Sequence, residues 1–128
     1  MASLKNIFLF IIFFISLNNI HAEPIEGDIV IIQVLDKVTA RINTLEINVG
    51  ENRNFGSLDI KIYFCKKRPP EEIPENFVLM KIVDEVSLEN YETVFQGWML
   101  SSSPAAAPFE HPTYDVWVKD CMVSSASE

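Results

Sequence analysis

Through most of this chain apolar and polar residues alternate with the two-residue period of half-buried strands. Leu45, Ile47 and Val49 alternate with Glu46 and Asn48, and Leu58, Ile60, Ile62 and Phe64 alternate with Asp59, Lys61 and Tyr63. Each run therefore turns one face to a core. Continued through the second run, the same period puts Cys65 on the opposite face, beside Tyr63. Ile29–Val38 is rich in branched residues with little period, which predicts a strand covered on both faces. Asp36–Thr39 turns that strand back, and Asn54–Ser57 makes a second turn. Pro69, Pro70 and Pro74 fix an extended connection. Phe77–Val83 and Tyr91–Leu100 predict a hairpin about Ser87–Leu88–Glu89–Asn90. Ser103 before Pro104 predicts one capped helical turn, which Pro108 and Pro112 keep short. Thr113–Cys121 is the last strand, with Trp117 and Cys121 on one face. The pattern as a whole predicts an all-β fold, a small β-sandwich or open barrel of about seven strands.

The beginning of the chain follows a different rule. Ile7–Leu17 is apolar apart from Ser16, Lys5 is the one charge before it, and the small Ala22 follows a polar stretch at Asn18 and Asn19. A positive start, a short apolar run and a small residue at the cut describe a secretory signal over residues 1–22. The competing reading is a retained anchor, but a helix this short spans only about 16 Å, against about 30 Å of hydrocarbon. Cleavage near Ala22 leaves residues 23–128 as a single β domain, with its core in 28–121 and a frayed tail at 122–128.

Charge narrows the partners. All 18 acidic residues but only nine of the ten basic ones follow Ala22, so residues 23–128 carry a formal charge of −9. Such a domain is repelled by phosphate backbones and by anionic lipid as a whole, so no nucleic-acid role is expected, and membrane contact only through a partner. The domain holds two cysteines, Cys65 and Cys121. An even count in an exported protein predicts a disulfide, the competing reading being two separate thiols. No C-x-x-C occurs, so a redox-active pair is not expected.

Several short motifs then carry a resemblance. Arg68-Pro69-Pro70-Glu71-Glu72, Pro74-Glu75-Asn76, Gly97-Trp98-Met99, Ser102-Ser103-Pro104, Glu110-His111-Pro112 and Tyr114-Asp115-Val116-Trp117 resemble, in order and spacing, an alphaproteobacterial domain of unknown function, DUF2155. Leu35-Asp36-Lys37 and Phe55-Gly56-Ser57-Leu58 fit the same pattern, so the resemblance covers nearly all of residues 29–121. It implies an exported, periplasmic protein with this same pair of cysteines. The resemblance also associates its gene with the neighbourhood of an accessory subunit of respiratory complex I, which makes that complex a candidate partner. One departure is Ala105-Ala106-Ala107-Pro108, whose proline interrupts a helical turn that relatives continue.

The inventory for catalysis is thin. His111 is the one histidine after Ala22. Ser101, Ser102 and Ser103 precede it and Asp115 follows, but the nucleophile elbow G-x-S-x-G is missing. Glu110, His111 and Asp115 are few nitrogen and sulfur ligands for a zinc site, and no calcium loop motif occurs, so no metal or cofactor is expected. Glu71 and Glu72 on a proline-stiffened loop are solvated acids rather than a hydrolase pair. His111 reads as a loop residue fixing a turn, whose replacement by alanine is expected to leave folding unchanged. Two function classes remain. One is a non-catalytic interaction or assembly module with a protein partner; the other binds a small ligand or cell-wall carbohydrate through exposed aromatics. The candidate contact residues are Phe109, Glu110 and His111 on the Ser101–Pro112 connection, with Trp98, Tyr114 and Trp117 beside it. Phe109, outside any strand period, is expected as an exposed apolar contact.

Overall fold

The structure, a computed structural model, describes residues 3–15, 22–87, 89–106 and 108–125. The expected signal cleavage region at Asn18–His21, Leu88 of the hairpin turn, Ala107 and the last three residues of the tail lie outside the described residues. A helix α1 (Leu4–Ile15) opens the chain. No helix among the described residues is long and apolar enough to cross a membrane.

Eight strands follow: β1 (Ile25–Gly27), β2 (Ile29–Asp36), β3 (Arg41–Asn48), β4 (Asn52–Phe55), β5 (Leu58–Lys67), β6 (Asn76–Ser87), β7 (Asn90–Leu100) and β8 (Tyr114–Met122). They form two separate sheets, a sandwich rather than a closed barrel. The larger sheet runs β5-β6-β7, with β1 and β4 sharing the free edge of β5; the smaller runs β3-β2-β8. All the described pairings are antiparallel. The short β1 and β4 are the strands that the pattern had not separated from their turns. Val30, Ile32, Val34, Leu45, Ile47, Leu58, Ile60, Ile62, Val78, Met80, Ile82, Met99, Val116 and Val118 fill the space between the sheets. The core residues among those described all lie between Val30 and Cys121. Such burial is the main favourable term in folding.

The local expectations hold at the turns. Asp36 accepts hydrogen bonds from the amides of Val38 and Thr39 at 2.9 and 3.2 Å, bending the chain out of β2. Pro104–Ala106 is a single 3₁₀ turn closed by the Ala106 amide on the Ser103 carbonyl. β2 departs from its reading: Val30, Ile32 and Val34 are fully buried, whereas Ile31, Gln33 and Leu35 are half-buried. It is covered on one face by the core and flanked by β3 and β8, not covered on both faces. The tail is also better held than its composition suggests. Met122 still pairs with Ile29, and Ser124 donates both its amide and its hydroxyl to Asp28.

The cysteines show the largest departure from simple alternation. Both were expected opposite the core-facing set, but Cys65 and Cys121 are fully buried in the core. Two β-bulges explain this. On β5 the register steps from Ile62↔Met80 to Phe64↔Leu79, leaving Tyr63 as an extra residue. On β8 it steps from Val118↔Ile32 to Asp120↔Ile31, leaving Lys119 extra. An extra residue reverses which face each later side chain meets. Phe64 is thereby turned out to solvent, 52% exposed, and Cys65 is turned in. Cys121 is likewise turned onto the core face, away from Trp117. The two cysteines form the expected disulfide, with Cα atoms 5.9 Å apart across 56 positions of sequence. Gly27 leaves room for it: a Cβ there would lie 2.2 Å from Cys121 Sγ and 2.7 Å from Cys65 Sγ.

Candidate functional site

The Ser101–Thr113 connection runs from the start of β6, where Ser101 bonds Asn76, to near its far end, where His111 meets Asp84. His111 is its anchor. The imidazole is buried at 8% exposure, with Nε2 2.7 Å from Asp84 Oδ2 on β6. Nδ1 accepts hydrogen bonds from the amides of Thr113 and Tyr114 at 3.1 and 3.2 Å. An Nδ1 that accepts leaves Nε2 as the nitrogen that donates, so His111 Nε2–H points at the Asp84 carboxylate. The ring lies between Phe109, stacked at 5.9 Å, and Tyr114, stacked at 5.4 Å; Phe55 meets Tyr114 edge-on at 5.6 Å. Gly56 sits under the Tyr114 hydroxyl in a left-handed turn, φ 57°, where a Cβ would lie 2.1 Å from the oxygen. No other residue fits that turn and that contact together.

Charge is fixed around the same centre. The neighbouring Ser57 hydroxyl holds the Asp84 carboxyl below the usual carboxylate range; burial acts against this and His111 adds to it. Lys37, in the turn after β2, donates to the His111 carbonyl at 2.8 Å and pairs with Asp115 at 3.1 Å.

The other end of the connection is also held by a buried acid. Glu75, 6% exposed, accepts from the Asn76 amide at 3.1 Å and from the Ser101 hydroxyl and the Ser102 amide at 3.0 Å, and from the Ser102 hydroxyl. Burial raises the Glu75 pKa, but the bonds from Ser102, Ser101 and Asn76 together outweigh it and leave it lowered. Asn76 Oδ1 in turn accepts the Cys121 amide at 3.1 Å, joining this cluster to the disulfide.

Between the two anchors, shallow pockets open on either side of Phe109. One, of about 280 Å³, is lined by Pro104, Pro108, Phe109, Asp115, Val116 and Trp117. The other, of about 340 Å³, is lined by Lys37, Phe109, Glu110, His111, Pro112 and Asp115. The structure thus brings together Phe109, Glu110, His111, Tyr114 and Trp117. It does not bring Trp98 to them. Trp98 projects from the outer face of the larger sheet, while the Trp117 indole donates to Gln33 at 3.0 Å on the smaller one. Phe109 is half-buried and packs against the core, not freely exposed.

Both nitrogens of His111 are committed, to Asp84 and to the turn, so the ring is not placed to activate Ser101–Ser103 or to bind an ion with Glu110 and Asp115. Among the described residues no three His, Cys, Asp or Glu side chains converge as a metal site. Sequence reasoning missed Asp84, Glu75 and Ser57. Asp84 sits 27 positions from His111, and no spacing rule links them.

Both anchors lie within a stretch that matches a known family. A family model described as an uncharacterized protein conserved in bacteria (DUF2155) matches residues 30–121. The chain belongs to the DUF2155 family. The DUF2155 domain is also similar to Uncharacterized protein RP359 of Rickettsia prowazekii (strain Madrid E), 38% identical over 88 residues. That match covers 69% of this chain and 57% of the relative, so the chain spans little more than half of the relative's length. No solved structure matches the domain. Seen in place, Pro74-Glu75-Asn76 and Ser102 form one anchor, and Glu110-His111-Pro112 with Phe55-Gly56-Ser57 the other.

Proposed function

We propose that this DUF2155 protein is an exported, non-catalytic interaction module that docks a protein partner through the Ser101–Thr113 connection. In this reading residues 1–22 direct export, cleavage follows Ala22, and the domain works in the periplasm. Its partner lies on the periplasmic side of an inner-membrane assembly, and the family resemblance makes respiratory complex I the first to test. One observation carries the reading: the connection is fixed at both ends by carboxylates, buried Glu75 and part-buried Asp84, and presents Phe109 between two shallow pockets. A loop held in place before binding loses little further freedom on docking, and aromatic residues dominate binding hot spots. The commitment of both His111 nitrogens supports a role without catalysis.

The test is co-purification of the tagged protein from detergent-solubilised membranes. Amino-terminal sequencing of the recovered chain should begin at Glu23. Glu110 is exposed, so Glu110→Lys alters the rim without touching the core and should lower recovery of the partner about tenfold. Phe109→Ala should lower it further, by about 2 kcal/mol if the ring is a hot spot. Undiminished recovery with Glu110→Lys, or a free monomer displaced only by cell-wall glycans, would refute docking at this loop.

A further inference from the structure

A second surface lies on the outer face of the larger sheet. Phe64, Leu79 and Trp98 are cross-strand neighbours on β5, β6 and β7. Their chain neighbours Cys65, Val78, Met80 and Met99 are buried in the core, so all three side chains point away from it. Phe64 is 52% exposed and Trp98 43%, and the β5 bulge adds Tyr63 at 40%. A sheet face turned only to water carries polar residues at such positions.

The row has a basic rim. Lys61 and Lys81 are direct cross-strand partners, and with Tyr63 they line a shallow groove of about 300 Å³. Like charges placed opposite each other on a sheet are destabilising, and an anion over the pair relieves that. On the other side of the row Lys66 pairs with Phe77, and the Arg68 guanidinium lies 5.7 Å from the Phe77 ring. Glu26, the β1 partner of Lys66, Asp59, at the end of the groove, and exposed Glu85, two residues beyond Val83 on β6, are acidic residues of this face. Four of the nine basic residues after Ala22 thus border one aromatic row in a domain of charge −9.

We propose that this face seats the domain on the surface of an anionic phospholipid bilayer. Tyr63, Phe64 and Trp98 enter the headgroup layer, where aromatic side chains concentrate. Lys61, Lys66, Arg68 and Lys81 meet the phosphates. Each basic residue near an anionic leaflet strengthens binding on the order of fivefold. The net negative charge opposes approach at long range, but physiological salt screens it beyond about 8 Å, so the contact set decides. A second copy packed on this face would oppose two basic rims.

Residues 23–128 are titrated with vesicles of about 30% phosphatidylglycerol in phosphatidylcholine, a composition that supplies the anionic field. The protein should co-sediment, with a blue shift of tryptophan emission that Trp98→Phe removes. Lys61→Ala with Lys81→Ala should weaken binding roughly tenfold or more, as should pure phosphatidylcholine or high salt. Phe64→Ser should weaken it comparably, with the melting temperature of each variant unchanged. Absence of co-sedimentation, or binding that the double lysine variant leaves intact, overturns the proposal. So does a concentration-dependent dimer that Phe64→Ser dissolves, which would give the face to self-association.

Discussion

At the scale of single residues, His111 is the position whose meaning changes most between sequence and structure. As a lone histidine between Glu110 and Pro112 it reads as a replaceable loop residue. In the fold its two nitrogens satisfy a part-buried carboxylate and two backbone amides, while its ring fills the space between Phe109 and Tyr114. Removing one partner of a buried polar set leaves the others unpaired, which costs more than the bond itself contributes. The expectation that alanine is harmless here is therefore corrected. His111→Ala should lower unfolding stability by about 3 kcal/mol, read as a lower urea midpoint with unchanged slope. An unchanged midpoint would mean that the loop does not depend on this anchor.

At the scale of elements, the alternating runs located six of the eight strands and most of the core, because burial on one face writes itself into a two-residue period. The bulges were not legible. An extra residue in one strand is defined only by its partner strand, and nothing at Tyr63 or Lys119 marks it locally. That is why the pairing of Cys65 with Cys121 was foreseen from their number while their faces were not. The loop site was legible in part: Phe109, Glu110, His111, Tyr114 and Trp117 do meet, but the carboxylates that hold them come from β6 and its approach. With Tyr63 removed, the side chains of Ile62, Phe64 and Cys65 would alternate in, out and in as they already stand, so deletion of Tyr63 should restore regular pairing between β5 and β6. The variant should still fold with its disulfide formed, seen by peptide mapping without reductant. Free thiols in that variant would show that the bulge is needed to bring the cysteines together.

For the whole molecule, acid is the condition that reaches both anchors at once. Asp84 and Glu75 have folded-state pKa values below their ordinary ones. A carboxyl with a lowered folded pKa binds its proton more readily in the unfolded chain. Its contribution is therefore full above the unfolded value, near 4, and is lost as the pH falls through the folded value. The melting temperature should hold from neutral pH down to about pH 5 on this account and fall steeply below about pH 4. Asp84→Asn keeps an oxygen for the His111 donor and removes the titrating group, so its acid slope should be shallower. An equal slope in the variant would assign acid sensitivity to other groups.

The disulfide also decides how the domain bears a pull on its ends. Tension entering beyond Met122 reaches Cys121 and passes at once to Cys65, so the 56 positions between them sit inside a closed ring and carry no load. Tension from the other end must strip β1 from β5 and then draw out β2, β3, β4 and β5 as far as Phe64. Stretched from Glu23 and Ser124, the oxidised domain should yield an extension of only about 150 Å, the reach of the chain before Cys65. Reduction should release about 190 Å more. Exposed to stress across an envelope, such a domain would give way at its leading strands while β6, β7 and the loop that follows them bore no load.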